Sequence, residues 1–509
     1  MKVILAGYNI DSETISELRK NAPPRADVTP ETLSASYARI SRDPRPVNEL
    51  RALARAEVER ARRSNQTIIF KMGHHSVAEH AVFNFDILAV SRLAIEEIEK
   101  FRLCSFTEKS QRYIKLGDDF VVPEEIKQSG GQELFLETIR AQNRLYHGLY
   151  DRLKPYFFEK FAEAARNPKN HSILDGWAKE DARYAVGLAT EGQLGLTING
   201  RNLEHLIRRL ASGNTAELRD LSARICRLAQ EVAPSIILFT GASDFDSLTY
   251  PRIEKSAKDA LPSLFTNRHP ASGRRAGRQP PRIRSVRLAA FTPDGDDRLL
   301  AALVHKVSSA SFDRCLSRVR GLPPARKTDL ALEAFRSMEF YDFPPREFEH
   351  VDVTFDLVVS ASCFAQLKRH RMATLTCQQY DPALGVTVPP SVEAVGAHGE
   401  FVDIMEKTNE AHAALRGAAG CAADYVLTNA HRRRVLLKLN IRELYHVSRL
   451  REDGTAQWDI RRTVGDMSRL AAKAMPLACL LLGGKDAYPE VYRARFGSNP
   501  KASPPKVFQ

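Results

Sequence analysis

Cysteine, tryptophan and long apolar runs are all scarce in this chain. Its 509 residues hold two tryptophans and seven cysteines, scattered and with no Cys-x-x-Cys pair. A disulfide framework is therefore not expected, and free thiols in a reducing cytoplasm are the default. No run approaches the roughly 18 apolar residues of a membrane span. The opening stretch, MKVILAGYNIDSE, has one lysine, a short apolar run and then acids, so no secretory leader is expected. Acid is missing from NRHPASGRRAGRQPPRIRSVR, residues 267–287, which carries seven Arg and three Pro. Such a segment buries too little apolar surface to fold alone and reads as a linker. An RNA-binding tail is the alternative, because Arg-rich segments bind RNA, but it lacks the aromatics that stack on bases. The rest is globular in composition, 43% hydrophobic and 27% charged, with a net charge of +13 that points to anionic partners. At this length two or more domains are expected.

The chain repeats itself. AEHAVFNFDILAVSR (78–92) resembles FEHVDVTFDLVVSAS (348–362), with Glu-His and Phe-Asp pairs both 270 positions apart. KFR at 100–102 answers RHR at 369–371, an offset of 269, and NGRNLEH (199–205) answers NIRELYH (440–446), an offset of 241. Anchors in one order indicate a tandem duplication whose second copy has a shorter middle. Domains are expected at 1–250 and 288–509, joined by a basic segment at 251–287.

In the second copy Val351, Val353, Phe355, Leu357 and Val359 alternate, which predicts a strand with one buried face. A Ser-rich cap then opens a helix over roughly 360–371. VLLKLN reads as a strand, a helix follows from about 441, and the last strong helix spans about 455–475, ending at Pro476. Strands and helices mix without a βαβ rhythm, so the fold class is α+β. The triplet Arg369, His370 and Arg371 admits two readings. It is either a basic last turn that relieves helix carbonyls, or a site where guanidinium forks grip phosphate oxygens.

GHHSVAEHAVFNF…SRLAIEEIEKFRLCSFTEKSQRY in the first copy and RHR…LNIRELYHVSRLREDGTAQWDIR in the second resemble the flavin-dependent thymidylate synthases. That resemblance covers about 66–220 and 345–476. It implies two tandem domains, each a mostly antiparallel sheet packed with helices. It also implies a methyltransferase that makes dTMP from dUMP, with FAD as cofactor, methylenetetrahydrofolate as carbon donor and NADPH as reductant. Each copy departs from the family pattern. The first keeps His74, Ser76, Glu79, His80, Ser110, Arg112, Tyr113 and Arg183, but has Lys100-Phe101-Arg102 for Arg-His-Arg, Glu97 for a Gln, and no clear final Arg. The second keeps Gln366, Arg369, His370, Arg371, Asn440, Arg442, His446, Arg451 and Gln457. It has Pro344 and Arg346 for the upstream His and Ser, Gln379 and Asp381 for the signature Ser and Arg, and Asp424 for the phosphate Arg.

By resemblance, Arg451 and Ser110 are catalytic, and Gln366, Ser110, Arg112, Arg183 and Arg451 bind the nucleotide. FAD falls to His74, Ser76, Glu79, Arg369, His370, Arg371, Asn440, Arg442, His446, Asn199 and Arg201. The family builds each site from several subunits of a homotetramer, so one composite site pooled from both copies is expected, its reciprocal dead. A homodimer would then form a pseudo-tetramer. Degenerate flavin or nucleotide binding without dTMP synthesis, and nucleic-acid binding through the linker, are the rivals.

Each motif also has a plainer account. His74, His75, Glu79 and His80 invite a metal, but H-x-x-E-H would need a His where Ser76 stands, and no metal is expected. Glu79 or His80 could instead bond nearby backbone. Ser110 has no G-x-S-x-G elbow and no base beside it, so it is either a neutral donor or a solvated loop residue. Arg451 lies among mixed charges. It either pairs with Glu452 or Asp453 at the surface, or stabilises negative charge at a uracil carbonyl. Cys104 and Cys377 lack any cue for thiolate activation.

Overall fold

The computed structural model describes residues 1–20, 28–40, 43–265 and 285–505. It has two four-stranded sheets. The first comprises Lys2–Tyr8 (β1), Val82–Ser91 (β2), Cys104–Glu108 (β3) and Glu191–Asn199 (β4), in spatial order β1-β2-β4-β3. The second comprises Val286–Phe291 (β5), Asp352–Ser360 (β6), Thr374–Cys377 (β7) and Arg432–Asn440 (β8), in the matching order β5-β6-β8-β7. Every strand pair is antiparallel. With helices packed on both sheets, the fold is α+β, in two like halves.

The alternation read in 351–359 is the buried face of β6: Val351, Val353, Phe355 and Leu357 are all fully buried. Ala89, at φ 52°, is the extra residue of a bulge between Leu88 and Val90 on β2, whereas β6 pairs with β8 without a shift. That one inserted residue turns the offset of 270 into 269. The larger change, to 241, falls between β3 and β4, where the first half carries the helices Gln132–Lys160 and His171–Ala182.

The halves meet about a pseudo-twofold axis. Gly187 bridges Thr428, its own counterpart at the 241 offset. Leu188 N–H donates to Leu427 O (2.7 Å) and Asn429 N–H to Val186 O (3.0 Å); Ala189 donates to Tyr425 O and Ala430 to Tyr184 O. Each bond has its mate at the same offset, the mark of an isologous interface. A side chain at Gly187 would meet Gln142 Oε1 at 2.7 Å, so a glycine lets the segments close. Around this axis, helix Gln132–Lys160 packs on His398–Ala419, burying Phe135 and Ile139 against Leu415 and Tyr425, and Leu149 and Leu153 against Phe401 and Met405.

Three expectations need adjustment or placement. The helix after β6 is shorter than expected, Ala361–Leu367, so the basic triplet lies beyond its end. Asp244–Ala260 is one helix across position 250, while 266–284, most of the expected linker, lies outside the described residues. A helix at Tyr488–Phe496, not foreseen, beds Tyr488 and Tyr492 into the second half. Among the described residues no helix is long and apolar enough to cross a membrane.

Candidate active site between the halves

Each half sets one helix on the interface by the same device. Ser360 caps Ala361–Leu367 and donates its hydroxyl to Asp459 (2.6 Å), which also accepts from Tyr184 of the other half (2.9 Å). Ser91 caps Arg92–Glu99 and donates to Glu217 (2.6 Å), which also accepts from Tyr425 of the other half (2.6 Å). Two pseudo-symmetric places result, and their chemistry differs.

The first place gathers residues of both copies. Because the helix stops at Leu367, the triplet reaches across: Arg369 pairs with Glu108 and lies 3.4 Å from Glu99, while Lys368 sits 2.8 Å from Glu99. Arg371 donates to Cys104 O. Arg112 pairs with Glu180 and donates to Thr455 O (3.2 Å). Gln366 donates to Gln457 (3.1 Å), which donates to Tyr184 (2.7 Å), and Gln366 Oε1 has no partner. Arg451 Nε donates to His370 Nε2 (3.0 Å), and its Nη2 to Gln366 O (3.3 Å). Neither Glu452 nor Asp453 pairs with it; these acids accept from Ser448 and Ser468, and from Thr455. Burial, then Arg369 and Arg112, brings Arg451 down to about 10, so it stays a cation at neutral pH. Ser110 accepts only from Arg112 N–H (3.1 Å) and is half-buried.

Arg183 is 6% exposed, and its Nε and Nη2 have no hydrogen-bond partner. Burial lowers its pKa. A desolvated guanidinium without partners costs several kcal/mol unless an anion completes it. Arg369 Nε and His370 Nδ1 are likewise buried and unpartnered. Burial, with Arg451 and His446 nearby, holds His370 neutral. Ser110, Arg112 and Arg183 of the first half thus share one place with Gln366, Arg369 and Arg451 of the second.

The flavin candidates divide. Asn440 caps helix Ile441–Arg451, Arg442 donates to Pro344 O and pairs with Glu349 (3.2 Å), and His446 packs edge-on to His370 at 5.6 Å. These adjoin Arg369–Arg371. The first-half set does not. Glu79 pairs with Arg201 (2.7 Å), Asn199 caps Gly200–Ala211, and His74 and Ser76 are exposed beside them. Glu79–Arg201 is the counterpart of Glu349–Arg442, so these residues flank Phe101 and His205, the reciprocal place. Among the described residues no hydrogen bond or ion pair joins His74, Ser76, Glu79, Asn199 or Arg201 to the triplet, so a single chain does not bring them to it.

His370, Glu443 and His446 have ligating atoms within 4.8 Å of one another. However, His370 Nε2 already accepts from Arg451, and that cation beside the cluster opposes a second one. Burial pushes Cys104 up to about 11, so it is no nucleophile.

The reciprocal place is an open cleft of about 870 Å³, with Glu97, Phe101, Arg209, Gln379 and Asp424 among its lining residues. Glu97 is bound to Lys100, Asp424 to His412 and Arg416, and Arg209 lies over the Phe101 ring at 5.5 Å. Buried Glu96 is pushed up by its burial, but Arg433 and then Lys368 outweigh that and hold it near 2. The acids of the cleft are paired within the chain.

Comparison with known proteins agrees with these halves. The family model of Thymidylate synthase complementing protein matches residues 26–235 and 288–477. A UPF0159 protein of Chlamydia muridarum is 23% identical over 423 residues, 81% of this chain and 79% of that protein. A flavin-dependent thymidylate synthase of Clostridium tetani is 27% identical over 218 residues, 42% of this chain and 83% of its own. Another, from Geobacter sulfurreducens, is 31% identical over 178 residues, 34% of this chain and 67% of its own.

Proposed function

This chain belongs to the Thymidylate synthase complementing protein family, and from that premise we propose that it is a flavin-dependent thymidylate synthase with one competent site per chain. The site lies between its halves. The substrate is dUMP, methylenetetrahydrofolate gives the carbon, and NADPH is the reductant. The observation that carries this reading is the buried Arg183, whose Nε and Nη2 lack partners, in one place with Arg112, Arg369 and Arg451. Ser110, Arg112 and Arg183 hold the nucleotide phosphate, with Gln366 on the pyrimidine. Arg451, a cation that solvent barely reaches, stabilises negative charge on the uracil ring as it is activated.

The donor set also fits FAD. Arg369 Nε and His370 Nδ1 are buried donors without partners, suited to phosphate or ring acceptors, with Arg371, Asn440, Arg442 and His446 alongside. Bound there, FAD supplies the hydride chemistry; the chain's residues orient, neutralise charge and exclude water. His74, Ser76, Glu79, Asn199 and Arg201 serve such a site only across chains, so a homodimer arranged as a pseudo-tetramer is part of this reading. Seven unpaired thiols place the protein in the cytoplasm.

Purified protein is expected to be yellow, to bind dUMP, and to form dTMP from dUMP, methylenetetrahydrofolate and NADPH. Colourless protein that ignores dUMP overturns the reading. The replaced ligands of the first half (Glu97, Phe101) and Asp424 favour a second one, nucleotide and flavin binding without synthesis. Yellow, dUMP-binding protein without turnover would select it. Nucleic-acid binding through 267–287 is tested by deleting that segment.

A further inference from the structure

Arg92 is a cation that the repeat leaves unexplained. It opens the helix Arg92–Glu99 at the place where the second half has Ala361. Its backbone is fixed: Ser91 caps the helix, and Arg92 N–H donates to Thr190 O at 2.9 Å. The side chain is 4% exposed, yet Nη1 and Nη2 both lack a hydrogen-bond partner.

Nearby acids do not complete it, because they are engaged elsewhere. Glu96 is held by Arg433 and Tyr380, Glu99 by Lys368 and Arg369, and Glu108 by Arg369. Arg92 forms no ion pair within 4.0 Å of any of them. It is not among the residues lining the reciprocal cleft, although Leu93, Ala94, Glu96 and Glu97 are. Its charge is felt instead by Arg183 and Glu108, on the side of the competent site. Two buried guanidiniums with open donors so close repel one another unless an anion sits between them.

We propose that Arg92 is a further phosphate-binding residue of this site, which with Arg183 grips the monophosphate of the nucleotide. The inference rests on the nucleotide-binding reading above and adds a specificity determinant peculiar to the first half. Arg92 selects the phosphorylated form over the free nucleoside. The second half, with Ala361, has no equivalent, so the asymmetry between the two places includes this residue.

The test titrates the full-length protein with dUMP and with deoxyuridine, which lacks the phosphate. Arg92→Gln is expected to weaken dUMP binding about tenfold or more and to leave deoxyuridine binding unchanged. Arg92→Lys, which keeps the charge beside Glu96, Glu99 and Glu108 but loses the fork, is expected to show a smaller loss of the same kind. An unchanged ratio of dUMP to deoxyuridine affinity in Arg92→Lys overturns the inference even if Arg92→Gln fails to fold, and makes Arg92 a counter-ion only. If the unaltered protein binds dUMP no better than deoxyuridine, the nucleotide-binding reading itself falls.

Discussion

The two places between the halves share a scaffold and differ in what stands on it. Both have a serine-capped helix, an acid that ties the cap to the opposite half's tyrosine, and a closing helix from β4 or β8. On one side the ligands remain open: Arg183 and His370 keep buried donors without partners. On the other the chain has closed upon itself: Glu97 binds Lys100, Asp424 binds His412 and Arg416, and Glu96 binds Arg433. Duplication frees one of two sites from its task. The freed side has exchanged ligand-binding groups for groups that bind one another, which secures the interface while the other side keeps donors it does not use internally.

If so, ablation should separate stability from ligand binding according to side. The largest effect falls on the closed side. Arg433 is 5% exposed, pairs with Glu96 and lies over the Phe364 and Tyr380 rings. Arg433→Ala leaves a buried carboxylate without its main partner, a loss of about 3–5 kcal/mol in denaturant unfolding. Affinity for dUMP should hold; a parallel fall in affinity would mean that the two sides are not independent.

The next pair sharpens the contrast at one matched position. Arg451 and Leu210 are counterparts at the 241 offset, on the helices Ile441–Arg451 and Gly200–Ala211. Arg451→Ala should lower kcat/KM by about 2–5 kcal/mol of transition-state stabilisation. It should leave the melting temperature unchanged or raised, because Arg369 and Arg112 repel that guanidinium. Leu210, 2% exposed within the first-half core, does the reverse. Leu210→Ala should cost about 2–5 kcal/mol of stability and leave kcat/KM intact. Two variants moving the same quantity would collapse the comparison.

Much of this was legible in the sequence, because the repeat carries its own alignment. The offsets located both halves, and the alternation of Val351 to Val359 gave β6 and its buried face. The triplet's role was harder. A basic run after an apolar one reads as a helix end, and only contacts more than 260 positions away, from Arg369 to Glu108 and Lys368 to Glu99, show what holds it. The sequence motifs also merge His74, Ser76 and Glu79 with Arg369–Arg371. Motif order says nothing about which side of a pseudo-dyad a residue faces, and Arg201 keeps Glu79 on the other side. Arg92 had a signal: a lone cation in AVSRLAI, matched by alanine in the other copy. Its burial, and the engagement of every nearby acid, are tertiary facts.

The smallest effect concerns proton binding and also belongs to one side. Asp181 accepts from Ser391 and, at 2.8 Å, from Trp458 Nε1, both of the other half; its counterpart at the 241 offset is Ala422. Burial raises its pKa to about 7, against an ordinary carboxyl near 3.8. The folded state therefore holds a proton that the unfolded chain has already released between those values. The stability this proton brings is complete below about pH 4, is lost as pH rises through 7, and stays lost above it. Linkage puts the loss on the order of 2–4 kcal/mol. Asp181→Asn keeps an acceptor for Trp458 and a donor for Ser391 without titrating. The difference in unfolding free energy between this variant and the unaltered protein should be near its low-pH value at pH 4.5 and should favour the variant at pH 8. A difference that does not change with pH would show that Asp181 is ionised in the folded protein. The open side would then carry one more negative charge beside Arg183 than this account of its electrostatics allows.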